Sequence, residues 1–329
     1  MAYDIAGGEW RVKGYFPFKT HHPERVINAP MYADRITEQW LIEKYFIPVL
    51  TPQIFKYNIA CQEGKGMFLA MDEIKGILSE LYKVFGKEFC IFQFDCKKYF
   101  DTISHRKAFE TFKRYRICDM GLYYYDVIIE SFHETTEAEE CYAARNDPEG
   151  IYGFPKGNLP SQWTGIMYLN DLDWKIFASR YSLFNIRYMD DGQVYCKDHS
   201  DTLKMLRATR DYFKDENLGI MLHPKKTNIF PVTRGFTFCG WHYRLTDDGK
   251  IIVTIKNEKK REEEEKLKRT AQSVRNGDMD IDKAFEIREG IFAYLAHGTD
   301  SDDLIDYMKY QYQFYDGEYK GRRVVIPRR

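Results

Sequence analysis

The chain has 329 residues, 44% hydrophobic and 16% aromatic, enough for a large core and too many for one minimal domain. With 49 Lys and Arg against 50 Asp and Glu, its formal charge of -1 argues against promiscuous nucleic-acid binding through a wholly basic surface. It has 7 cysteines but no CxxC pair, and no apolar run of about 20 residues, so disulfides, structural zinc and a membrane-spanning helix are not expected; the expectation is a reduced, cytoplasmic protein.

In chain order, Met71, Ile74, Leu78, Leu81 and Phe85 recur at helical spacing and predict a helix over 71–85, with Gly86 as its stop. A strand follows over Phe89 to Cys96, then a mainly helical stretch over 105–131. The polar, Gly/Pro-punctuated segment from Glu134 to Pro160 precedes a helix from Ser161 to Ala178. Apolar alternation on both sides of Met189 to Gly192 predicts a hairpin, followed by a helix from Ser200 to Glu216. Strands are expected over 226–233, 236–245 and 250–255, the last after the Asp247-Asp248-Gly249 turn. Residues 256–275 are highly charged and helix-favouring, and 281–297 and 301–315 predict two amphipathic helices. The whole reads as an α+β core with a helical appendage and a boundary near residue 250.

Two places carry candidate chemistry. Asp95 ends an apolar strand, where a carboxylate must be exposed, paired or metal-bound; taken alone, a cap before the next segment is the more common explanation. Asp190 and Asp191 are adjacent at the hairpin tip. Turn chemistry accounts for Asp191-Gly192 but does not require Asp190. Adjacent acids repel, and a divalent cation such as magnesium offsets that repulsion through carboxylate and phosphate oxygens.

Five blocks then carry a resemblance. Tyr188-Met189-Asp190-Asp191 is the hairpin tetrapeptide of bacterial reverse transcriptases, and Asp95 with Tyr99, Phe100 and Ile103 resembles their first catalytic motif. The Gly153 to Trp163 block, Leu222 to Thr227, and Gly235 to Trp241 resemble their template and nucleotide motif, lysine motif and primer grip. Arg25 to Pro30, with Asp34-Arg35, resembles the fingers motifs. The resemblance implies a right-hand polymerase: fingers over 1–89 with an inserted part at 106–152, a ferredoxin-like palm over 90–250, and a small helical thumb with a basic C-terminal tail over 251–329.

The same resemblance implies roles. Asp95, Asp190 and Asp191 would bind two magnesium ions, for which manganese can substitute, and catalyse nucleotidyl transfer. Arg25 would grip the triphosphate, and Phe100 would exclude a ribose 2′-hydroxyl. Gly157 would let backbone approach the incoming base pair, and Gln162 would open the following helix beside it. Lys226, or Lys225 in its place, would protonate the pyrophosphate. Substrates would be dNTPs, an RNA template and the DNA product, with a structured noncoding RNA or a basic accessory protein as partner and no membrane.

The Gly157-Asn158 and Ser161-Gln162 pairs are similar to those of enzymes from diversity-generating retroelements. Lys156 replaces the aliphatic residue those enzymes carry, and Asp101 stands where many relatives have Pro. These departures keep an anti-phage defence enzyme in view. Two further alternatives are an RNA-binding module with a silent polymerase fold, which has no need of three carboxylates, and an RNA-dependent RNA polymerase, whose hairpin is usually Gly-Asp-Asp and against which the aromatic Phe100 argues.

Overall fold

A computed structural model describes residues 7–21, 24–132, 150–216, 218–299 and 301–311, with two short strands, Gly317–Tyr319 and Arg322–Val324. Lys320, Arg328 and Arg329 of the expected basic tail, and 133–149 of the expected insertion, lie outside the described residues.

Two short apolar segments pair first. β1 (Tyr15–His21) and β2 (Glu24–Pro30) form an antiparallel hairpin with Tyr15 opposite Pro30. α1 (Tyr32–Leu41) follows and runs through a π-helical stretch, Ile42–Phe46, into a short helix, Ile47–Leu50. α2 (Met67–Phe85) ends at Gly86, whose φ of 57° is the left-handed backbone that lets the helix stop. β3 (Cys90–Phe94) then leads into α3 (His105–Arg114) and α4 (Asp119–Glu130). Next come α5 (Leu159–Tyr168), α6 (Asn170–Phe177), β4 (Phe184–Tyr188), β5 (Asp191–Cys196), α7 (His199–Asp215) and β6 (Asn228–Pro231).

β3 to β6 form one antiparallel sheet in the order β4-β5-β3-β6. Aromatic and aliphatic residues of its strands and helices, among them Phe92, Phe94, Phe112, Tyr125, Ile166 and Val194, share one core. Burying side chains of this size contributes about 1.5–3 kcal/mol each.

Beyond Pro231 come β7 (Phe236–Phe238), β8 (Trp241–Leu245) and β9 (Ile251–Ile255), a three-stranded sheet. α8 (Asn257–Arg275), α9 (Ile281–Leu295) and α10 (Asp302–Gln311) close on Leu267, Phe285, Leu295 and Met308. The chain divides into two compact units, Met1–Ala70 with Glu88–Pro231 and Met71–Lys87 with Val232–Arg329. The boundary expected near 250 falls inside the second unit, in the turn between β8 and β9 of its sheet.

Several expected elements differ in detail. The helix expected over 161–178 is two helices broken at Leu169, because Asn170 turns its side chain onto the Gln53 carbonyl and the Tyr115 hydroxyl. It also starts earlier, because Asn158, not Ser161, caps it by accepting from the Ser161 amide at 2.9 Å. The strand expected over 236–245 is a hairpin, turned by Cys239 and Gly240 at φ 47° and 84°.

One buried ion pair ties the first unit together. Arg187 on β4 is 1% exposed and Asp173 on α6 is 1% exposed. Nε of Arg187 donates to both carboxylate oxygens at 2.9 and 3.0 Å, and Nη2 donates at 2.7 Å. Its remaining donors reach the carbonyls of Ile166 at 2.8 Å and Met189 at 2.6 Å. Burial pushes the Asp173 carboxyl up, and the Arg187 charge pulls it back. Replacing Arg187 by Met strands Asp173 without a partner and is expected to cost about 3–5 kcal/mol. The Arg187→Met/Asp173→Leu double variant should recover most of that loss in urea denaturation; equal losses in single and double variants would refute the account.

Candidate active site

The β4–β5 hairpin builds the site's tip. Tyr188 pairs with Asp191, so the two-residue turn is Met189-Asp190, and Gly192 lies inside β5 rather than at the turn as the sequence suggested. Met189 holds a φ of 55°, a conformation that costs a side-chain-bearing residue about 1–2 kcal/mol. The Arg187 guanidinium, bonded to the Met189 carbonyl, fixes that turn. Gly192 is required for a different reason. It sits opposite Phe94 in the β3–β5 register, and a Cβ there would collide with the Phe94 ring.

Asp95 follows directly on Phe94 and is 8% exposed. The segment after α7 runs beside it: Lys97 donates its amide to Met221 O at 2.8 Å, and His223 donates to Asp95 O at 2.7 Å. That pairing delivers Lys226, whose Nζ donates to Asp95 Oδ2 at 2.8 Å. Of the two candidate lysines, Lys226 is the one bonded to Asp95. This hydrogen bond, with the charges of Asp95, Asp190 and Asp191, holds the Lys226 ammonium above its ordinary pKa. Burial, then the Asp95 charge, raises Asp190, while Lys226 and Arg25 oppose the shift. Asp95, Asp190, Asp191, Lys226 and Arg25 therefore share one electrostatic field.

Arg25, Gly157, Phe100 and Gln162 belong to the same unit as the carboxylates. Arg25 is exposed on β2. Gly157 has φ 117°, and a Cβ on it would press on Ile27 of β2; the Asn28 amide donates to Lys156 O at 2.7 Å. The Phe100 ring and the Met189 sulfur both lie against Gly165 of α5. Gln162 is half-buried in the first turn of α5, and no contact joins it to the carboxylates. Trp241, expected near the primer grip, is a core residue of the second unit, 1% exposed against Tyr294.

Sequence reasoning missed three features. Arg187 and Asp173 gave no motif signal. Asp34 was visible only beside Arg35 in the fingers motifs, and its buried neighbour Glu38 gave no signal. The third was half visible: Lys156 and Asp101, singled out as separate departures, pair with each other at 2.5 Å.

The donor set of Asp95, Asp190 and Asp191 is all carboxylate oxygen, which fits a hard cation such as magnesium. Among the described residues no group of three or more His, Cys, Asp or Glu side chains is arranged to hold a metal ion by itself. Magnesium does not need one, because it keeps waters and takes phosphate oxygens. No helix among the described residues is long and apolar enough to cross a membrane.

An antiparallel sheet backed by helices, with two carboxylates at a hairpin tip and a third just past the end of the adjoining strand, is the arrangement of a right-hand polymerase fold. A family model described as reverse transcriptase (RNA-dependent DNA polymerase) matches residues 19–243, well over half of the chain, and the chain belongs to that family. Among solved structures it is similar to apo telomerase from Candida tropicalis, at 13% identity and TM-score 0.47, covering 73% of this chain and 48% of that one. It is also similar to telomerase from Candida albicans in complex with a TWJ fragment of telomeric RNA, at 11% identity and TM-score 0.48, covering 94% and 62%. The chain spans roughly half the length of these structures. No curated protein sequence matches it.

Gly192→Ala is expected to destabilise the protein by about 1–3 kcal/mol through overpacking. Phe94→Leu in the same chain should return part of that loss. Thermal denaturation reads both, and an unperturbed Gly192→Ala variant would contradict the close approach.

Proposed function

We propose that the chain is an RNA-directed DNA polymerase that copies a dedicated RNA template into cDNA. The observation that carries this reading is the joint field of Asp95, Asp190 and Asp191 with Lys226 bonded to Asp95. A binding module gains nothing from three carboxylates facing phosphate.

Asp95, Asp190 and Asp191 would hold two magnesium ions, which when bound activate the primer 3′-hydroxyl and neutralise charge on the transferred phosphate. Arg25 binds triphosphate oxygens through its fork of donors. Phe100, whose ring lies against Gly165, bars a 2′-hydroxyl. The Gly157 backbone and Gln162 shape the base-pair side of the pocket. Lys226 carries a proton, held firmly by its acidic neighbours, to the departing pyrophosphate. In the wider assignment, β1 to α1 belong to the fingers, the four-stranded sheet to the palm and α8 to α10 to the thumb.

The Gly157 to Gln162 block supports a place in a diversity-generating retroelement. Lys156, tied to Asp101 rather than aliphatic, favours the second setting, phage defence with a structured noncoding RNA. Sequencing the DNA made on co-purified RNA separates them: miscopied adenines support the first, accurate or repetitive product the second.

Asp190→Ala/Asp191→Ala is expected to abolish primer extension on an RNA template with dNTPs and magnesium. RNA bound but never copied by either protein would defeat the polymerase reading. Phe100→Ala should improve rNTP use relative to dNTP by roughly ten- to a hundredfold. Because Asp190 is raised and must be deprotonated to hold metal, magnesium binding should weaken on acidification at a pH above the ordinary Asp range of about 4. Titration calorimetry at stepped pH tests this; loss only at or below that value would contradict it.

A further inference from the structure

A second cluster of polar groups lies away from the catalytic carboxylates. Asp34 and Glu38 lie one turn apart on α1 and are 0% and 1% exposed. Asn158 and Ser161, at the start of α5, are both 2% exposed. The Lys13 amide donates to Asp34 Oδ2 at 2.7 Å. Five other polar atoms here lack a hydrogen-bond partner: Asp34 Oδ1, both Glu38 oxygens, Asn158 Nδ2 and Ser161 Oγ. Buried groups left this way are costly, so several together mark a network that closes in the working protein.

Asn158 is the connector. Its Oδ1 caps α5 through the Ser161 amide. Its amide nitrogen faces Glu38 and Tyr15 closely enough to lower both groups, though it stops short of hydrogen-bond geometry with Glu38. Gly157 and Lys156 precede it and lean on β2, the strand that carries Arg25.

We propose that Glu38 is a positioning residue, which as a neutral acid donates to Asp34 and accepts from Asn158, and so sets the first turn of α5 for the incoming nucleotide. This rests on the polymerase reading. Two adjacent buried acids cannot both ionise cheaply, so the pair retains one proton. The charged and titratable groups facing Glu38 are Asp34 and Arg35 on its own helix and Tyr15 on β1; Asn158 and Ser161 on the α5 side do not titrate. Burial, then the Asp34 charge, pushes the Glu38 carboxyl up to about 8. Above that pH Glu38 can no longer donate to Asp34, the two like charges repel, and the resulting movement of Glu38 takes its acceptor away from Asn158.

The test measures KM and kcat for dTTP on an RNA template with a DNA primer, from pH ~6.5 to ~9, for the parent, Glu38→Gln and Glu38→Ala. The parent KM should rise roughly tenfold as pH passes through the Glu38 value, with kcat moving less. Glu38→Gln, a permanent mimic of the neutral acid, should keep KM flat, and Glu38→Ala should raise it at every pH. Urea denaturation supplies a readout independent of activity. A raised carboxyl stabilises the fold below its unfolded value, and that stability fades as pH climbs through its folded value. The parent should therefore lose stability relative to Glu38→Gln between about 4.5 and about 8. A stability difference with a pH-independent parent KM would reduce Glu38 to a structural residue and overturn the proposal. A parent inert at every pH would overturn the polymerase reading itself.

Discussion

Everything near the β4–β5 hairpin depends on where one guanidinium is buried. Arg187 lies on β4, two residues before the turn, and its donors are divided among Asp173 of α6, the Ile166 carbonyl of α5 and the Met189 carbonyl of the turn. Its backbone continues the same work: its amide donates to Tyr57 O, and its carbonyl accepts from Ile59. A planar, permanently charged fork suits this task better than an ammonium would. The left-handed Met189 is tolerable because its carbonyl has a charged donor waiting. The adjacent carboxylates can be crowded at the tip because the strand beneath them is immobilised from three sides.

The second constraint is steric. Glycine at 192 lets β5 slide against the Phe94 ring, and that approach sets the height of Asp191 relative to Asp95. Lys226 then arrives on a segment that pairs with the residues flanking Asp95. Strand register and one missing side chain thus do the positioning, while the acids themselves contribute mainly repulsion.

Much of this could be read in the sequence, and what could not has physical reasons. The β4–β5 hairpin, the strand before Asp95 and the amphipathic helices followed from periodicity. The turn was misplaced by two residues because Asp191-Gly192 looks like a standard turn pair, whereas the glycine serves packing. The β1–β2 hairpin was not foreseen: Pro17 interrupts the strand pattern, and Phe16 and Phe18 are 63% and 44% exposed, so their alternation points outward. The break at Leu169 has no Gly or Pro to announce it. Buried polar partners such as Arg187 with Asp173, or Glu38 with Asn158, are set by tertiary proximity and leave no spacing to detect.

The pairing of Lys156 with Asp101 has a consequence for how this pocket can change over evolutionary time. Asp101 is 5% exposed, so its charge is tolerable only beside the ammonium. An aliphatic residue at 156 would abandon that charge in the interior, and a neutral residue at 101 would free a lysine beside Gly157. Each single step is penalised, so the two positions are expected to drift as a unit. Lineages with an aliphatic residue before the glycine and those with this salt bridge are then separated by a fitness valley rather than by one mutation.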